Sequence, residues 1–194
     1  YNQRTDNFTG YISEDTSFGR PACNEIISLM ESSQGVLWVG TWYGGLARFN
    51  KETGQFRYYF GEGDTLTIPR IRTLFQRTAN SFYLGSDDGL YTFNTTTGEC
   101  LPTDDEQNKE SIYACYQDRE GGIWIGTYFS GVSYLSPKHK DIEWYYPNGT
   151  ENSLSGNVIS QFCEDPDGNI WIATEDGGLN LFDPRTKKFK NHLL

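Results

Sequence analysis

One pattern recurs four times along this chain, and a repeat of that length narrows the fold more than any other feature. The four segments are Val36-Leu37-Trp38-Val39-Gly40-Thr41, Ser81-Phe82-Tyr83-Leu84-Gly85-Ser86, Gly122-Ile123-Trp124-Ile125-Gly126-Thr127 and Asn169-Ile170-Trp171-Ile172-Ala173-Thr174. Each sets an aromatic between apolar residues, then a small residue, then a hydroxyl residue. The aromatics stand at 38, 83, 124 and 171, spaced by 45, 41 and 47. Twelve residues before them stand Ile26, Ile71, Ile112 and Ile159. After them come Leu46, Leu90, Val132 and Leu179, then Phe49, Phe93, Leu135 and Phe182, then Phe56, Leu101, Ile142 and Phe189. Each repeat therefore offers four short apolar stretches.

The residues between the stretches are turn formers. Gln34-Gly35, Gly121-Gly122 and Asp167-Gly168 separate the first two, and Gly44-Gly45, Asp88-Gly89 and Gly177-Gly178 the next two. Asn50 to Gly54 and Asn94 to Gly98 separate the last two. Such dipeptides mark hairpins, and no segment keeps a helical period. Four-stranded units of about 40–50 residues are β-propeller blades. The fold class is all-β: four four-stranded antiparallel blades, with repeats at 25–70, 71–111, 112–157 and 158–194. Phe8-Thr9-Gly10-Tyr11 resembles the fourth-strand segment Phe56-Arg57-Tyr58-Tyr59. Residues 1–24 are therefore expected to be the end of a preceding blade and a connecting loop, and the whole an arc of a larger propeller.

Composition excludes several roles. A formal charge of -10 disfavours nucleic acid and anionic membranes, which need a basic face. No apolar run is long enough to cross a membrane. Tyr1-Asn2-Gln3-Arg4 is no signal peptide, so the chain is expected to be part of something longer. Cys23, Cys100, Cys115 and Cys163 form no C-x-x-C pair, and no zinc site is expected. Cys115 takes the place of Leu29, Leu74 and Phe162 and reads as a small buried hydrophobe. A disulfide stays open for an exported protein.

Leu37-Trp38-Val39-Gly40-Thr41 with Gly44-Gly45-Leu46, and Asp167-Gly168-Asn169-Ile170-Trp171-Ile172 with Gly177-Gly178-Leu179, resemble the two-component regulator propeller repeats. The run from Asn50 to Phe56 fits as well. The second repeat departs from the pattern, with Tyr83 for Trp and a loop one residue shorter. The resemblance implies the extracytoplasmic sensor region of a Bacteroides-type hybrid two-component system. It implies a periplasmic or extracellular address, a membrane span and histidine kinase elsewhere in the full protein, and sensing of oligosaccharides.

A residue that recurs serves the recurring structure, so Trp38, Tyr83, Trp124 and Trp171 read as buried packing. Function belongs where the repeats differ. The loop between second and third strands reads Trp42-Tyr43, Asp87-Asp88, Tyr128-Phe129-Ser130 and Glu175-Asp176 in turn. It shares a face with the segment leading into each innermost strand, where Arg70 and Arg72 flank Ile71 and where Asn24 and Asn157 stand. Aromatics beside carboxylates and Arg suit a sugar, whose apolar face stacks on rings while its hydroxyls bond the polar groups. The candidate ligand-binding residues are Trp42, Tyr43, Arg70, Arg72, Asp87, Tyr128, Phe129 and Glu175. The plain alternative is ordinary surface loops, or contacts to other blades. The expected partners are a glycan, the remaining blades of the receptor and a second copy in a homodimer.

No catalytic residue, cofactor or metal is expected. Asp165-Pro166-Asp167-Gly168-Asn169 starts like a calcium loop, but Ile170 stands where the turn glycine belongs. It falls one residue short of a sialidase aspartate box. His139 and His192 are the only histidines, and neither lies in a variable loop. Asp87-Asp88 could carry acid–base work but suits a solvated turn. The alternatives are a propeller enzyme such as a lyase, a quinone-dependent dehydrogenase suggested weakly by the Asn-x-x-Thr-Gly turns, and a pure interaction scaffold.

Overall fold

A computed structural model of the chain describes residues 2–11, 24–60, 66, 68, 70–103, 109–137 and 142–192. The expected four-strand repeat is what forms. The first blade is β1 (Ile26–Glu31), β2 (Leu37–Thr41), β3 (Leu46–Phe49) and β4 (Phe56–Tyr59). The second is β5 (Ile71–Thr78), β6 (Ser81–Ser86), β7 (Gly89–Asn94) and β8 (Cys100–Pro102). The third is β9 (Ile112–Gln117), β10 (Ile123–Thr127), β11 (Val132–Leu135) and β12 (Ile142–Tyr145). The fourth is β13 (Ile159–Glu164), β14 (Ile170–Thr174), β15 (Gly178–Asp183) and β16 (Lys188–His192). Each is an antiparallel meander in chain order, and the described residues contain no α-helix. The chain divides into two compact units: residues 1–70 hold the first blade and residues 71–194 the other three.

Turn chemistry closes the hairpins as the sequence requires. Asn50 Oδ1 accepts the amides of Glu52 and Thr53, and Asn94 Oδ1 those of Thr96 and Thr97. Asp118 Oδ1 accepts the Gly122 amide at 2.7 Å, and Asp165 Oδ1 those of Asp167 and Asn169 at 2.9 Å. The calcium-like stretch is thus a self-bonded aspartate turn. The side-chain and backbone hydrogen bonds from Asn169 hold the Asp165 carboxyl below its ordinary value.

In the second unit the small residue of the repeat has a packing role. A Cβ on Gly85 would collide with Ile112, and one on Gly126 with Ile159. The first Ile of each following blade sits in the seat left by that glycine, and Ile112 and Ile159 are completely buried. Trp124 is also buried. It packs with Tyr134 at 4.5 Å and Phe182 at 5.4 Å and donates Nε1–H to Asp118 at 3.0 Å.

One expectation needs correction. Trp38 and Trp124 are buried, but Trp171 is only half-buried, against His192 at 5.6 Å. Its neighbours Ile170 and Ile172 turn into the core shared with the third blade, and Trp171 takes the opposite face. Among the described residues no strand pairs with residues 8–11, whose expected partner belongs to a preceding blade. An isolated bridge joins Asn2 and Asn7, and the Tyr11 ring meets Phe49 edge-on at 4.7 Å. Cys100 and Cys115 are free thiols, and burial pushes each up to about 12. Cys163 is free and exposed. Cys23 and His139 lie outside the described residues.

Candidate functional site

The variable loops are fixed by the repeat's hydroxyl residue. Thr127 Oγ1 donates to the Gly131 carbonyl at 2.9 Å and accepts the Ser130 amide at 2.9 Å. Thr41 does the same for Gly45 and Gly44, and Ser86 for Gly89 and Asp88. Gly131 has a φ of 76°, and a Cβ there would overlap the Tyr145 carbonyl. Only glycine fits. The loop is then tied to the residue before the first strand. The amides of Trp42, Tyr128 and Glu175 donate to the carbonyls of Glu25, Ser111 and Val158 at 2.9–3.0 Å. Loop and lead-in residue therefore share one edge of each of these blades.

The register of the first strands adds a second device. Pairing skips one residue just after the opening Ile in all four blades. The bulged residues are Ile27, Arg72, Tyr113 and Ser160. A bulge re-aims its side chain away from the ladder, and Arg72 and Tyr113 use this to reach the loop edge.

In the second unit these side chains assemble. The Arg72 guanidinium pairs with Asp87 and lies over the Tyr113 ring at 4.1 Å. Tyr113 stacks on Tyr128 at 4.8 Å, and Phe129 meets Tyr128 edge-on at 4.2 Å. Ser111 Oγ donates to the Asp87 carbonyl at 2.8 Å and fixes the loop below the ion pair. Burial raises the Tyr113 phenol against the lowering effect of Arg72, and Asp87, Tyr128 and Glu175 add to the rise. Glu175 itself is exposed. Burial alone would raise its neighbour Asp176, but the amides of Asn157 and Val158, at 3.0 and 3.1 Å, hold that carboxyl below its ordinary value.

In the first unit Arg70 lies over Trp42 at 4.8 Å and Tyr43 at 5.8 Å, with Tyr43 exposed. The eight predicted residues thus fall into two groups. Trp42, Tyr43 and Arg70 form one; Arg72, Asp87, Tyr128 and Phe129 form the other, with Glu175 acting on it through charge. Tyr113 escaped the sequence reading. Its signal was available, since it occupies the same repeat position as Arg72.

The second group offers a cation–π column that ends in an exposed ring, Phe129 being 66% exposed. It presents no base poised on a nucleophile. His192, the one histidine among the described residues, lies on β16. No group of three or more metal-ligating side chains occurs among the described residues.

Three segments, residues 21–43, 106–129 and 153–176, match the family described as two component regulator propeller. No curated protein matches the sequence. Among solved structures the chain is similar to the extracellular domain designated the hybrid two component system BT4673 of B. thetaiotaomicron. That match has 23% identity and a TM-score of 0.77, covering 95% of this chain and 27% of that one. The corresponding domain of BT3049 from the same organism matches at 20% identity and a TM-score of 0.61, covering 93% and 30%. Virginiamycin B lyase from Staphylococcus aureus matches at 12% identity and a TM-score of 0.64, covering 87% and 55%. The chain thus spans less than a third of the two sensor domains. The shared fold is the β-propeller, and the segments that match the two component regulator propeller family overlap its first, third and fourth repeats.

Proposed function

We propose that this chain is part of the extracytoplasmic sensor propeller of a membrane-anchored two-component receptor, and that it recognises an oligosaccharide on the loop edge of its second and third blades. The family match and the sensor domains with the same fold support the setting. The observation that carries the ligand class is the column Arg72, Tyr113, Tyr128, ending at exposed Phe129. Rings held in place by an ion pair and by backbone bonds present a stacking surface that costs little to order. The exposed carboxylates of Asp88 and Glu175 supply partners for hydroxyl groups.

An oligosaccharide array read with the chain tests this. The wild type retains at least one oligosaccharide, and Tyr128→Ala weakens that binding about tenfold or more. An array with no bound sugar, or an unaffected Tyr128→Ala variant, defeats the reading.

A second role, support of receptor dimerisation, is favoured by one observation: Ile26 and Leu29 on β1 are 47% and 64% exposed. A lyase reading has only the shared fold behind it, because His192 stands beside Trp171 and not in the loop group.

A further inference from the structure

The loop edge of the second and third blades has its central cation already engaged. Arg72 faces Asp87 on one side and the Tyr113 ring on another, and the two charged side chains are only 15% and 21% exposed. The segments around this pair carry Asp88, Glu110, Glu175 and Asp176 against Lys109 and Arg70, the latter lying over Trp42. Asp87 and Asp176 accept hydrogen bonds in the fold, and Asp88, Glu110, Glu175 and Asp176 are exposed. The charge of Glu175 reaches Tyr113, inside the aromatic column. With the Arg72–Asp87 pair neutral, the residual charge of the edge is negative.

A sugar stacked on Tyr128 or Phe129 would lie beside these carboxylates. We propose that this edge selects neutral or amino sugars and rejects uronic and sulfated ones, because Asp87 keeps Arg72 neutralised. The inference rests on the oligosaccharide reading above and adds the substrate class to it. Two charges a few ångströms apart at a protein surface interact strongly enough to change affinity by about tenfold. A carboxylated sugar would meet repulsion from Glu175 and Asp88. It could recruit Arg72 only by displacing Asp87.

The test is calorimetric titration of the full chain with three probes of matched length: a neutral xylo-oligosaccharide, a chitosan oligosaccharide and an oligogalacturonide. Each is run at low and high salt. Wild type binds the neutral or the amino probe and excludes the oligogalacturonide. Asp87→Asn keeps an acceptor for Arg72 Nε while removing a negative charge, and Glu175→Gln removes one from an exposed loop without touching the ion pair. Each variant raises oligogalacturonide affinity about tenfold relative to the neutral probe, less so at high salt. Unfolding midpoints confirm that both variants are folded. Wild type binding the oligogalacturonide as well as the neutral probe overturns the inference and leaves the oligosaccharide reading standing. So does an unchanged ratio in Glu175→Gln. No binding of any probe by wild type overturns both.

Discussion

Trp124 and Trp171 hold the same position in the repeat and differ in what surrounds them. Trp124 is closed in by Tyr134, Tyr145 and Phe182 and bonded to Asp118, whereas Trp171 is half-buried against His192. Truncation should separate them. Trp124→Ala is expected to cost about 3–5 kcal/mol in denaturant unfolding, as large core aromatics do. Trp171→Ala is expected to cost less than about 2 kcal/mol, since less apolar area leaves water there. Equal costs would contradict the packing described. The tyrosines give a second expectation. Burial first, then the hydrogen bond to Glu164, pushes Tyr116 from 10.0 up to about 12. Burial, then Asp118, pushes Tyr134 to the same value. A phenol raised in the fold stabilises fully below its unfolded value and loses that contribution as pH rises through the folded one. Unfolding midpoints should therefore fall between about pH 9 and about pH 12. A Tyr116→Phe, Tyr134→Phe double variant should show a shallower fall. A wild-type midpoint that stays flat across this window would contradict the assignment.

Each blade's loop between second and third strands is built by one hydroxyl and one glycine. In Thr127→Val both side-chain hydrogen bonds of Thr127 are lost while the shape is kept; the Ser130 amide loses its acceptor, and the Gly131 carbonyl keeps only the Thr127 amide. The expected cost is about 1–3 kcal/mol, with weaker oligosaccharide binding, read by unfolding and titration together. Gly126→Val should cost at least as much, because Ile159 must leave its seat. The strands and their first residues were legible in the sequence, since apolar spacing and turn dipeptides agree over four repeats. The glycine seat was visible as a small residue, though its occupant was not. Tyr113 shares its repeat position with Arg72, and that much was visible; it was missed because the bulge that turns this position toward the loop edge leaves no mark on composition. A bulge moves one side chain off the alternation that pattern reading relies on. The exposure of Trp171 was missed because a repeat predicts the same burial everywhere, whereas burial depends on whether another sheet packs on that face.

At the scale of the molecule, a formal charge of -10 accompanies an apolar patch among the described residues. A concavity of about 440 Å³ opens on the first blade, lined by Tyr11, Ile26, Leu29, Leu37, Phe49 and Phe56 among others. Exposed apolar surface of this kind favours association. Sedimentation of the isolated chain is expected to show concentration-dependent self-association that Leu29→Lys reduces. A strictly monomeric wild type would remove the support for dimerisation through this face.

The central claim is that the repeat supplies the scaffold and the irregular loop edge supplies recognition. Amide hydrogen exchange, with and without the tightest-binding oligosaccharide from the array, tests it most directly. The account predicts slowed exchange at 86–89, 109–113 and 127–131, with the hairpin turns at 50–54 and 94–98 unchanged. Protection confined to those hairpin turns, or absent from the loop edge while the sugar is bound, would contradict it.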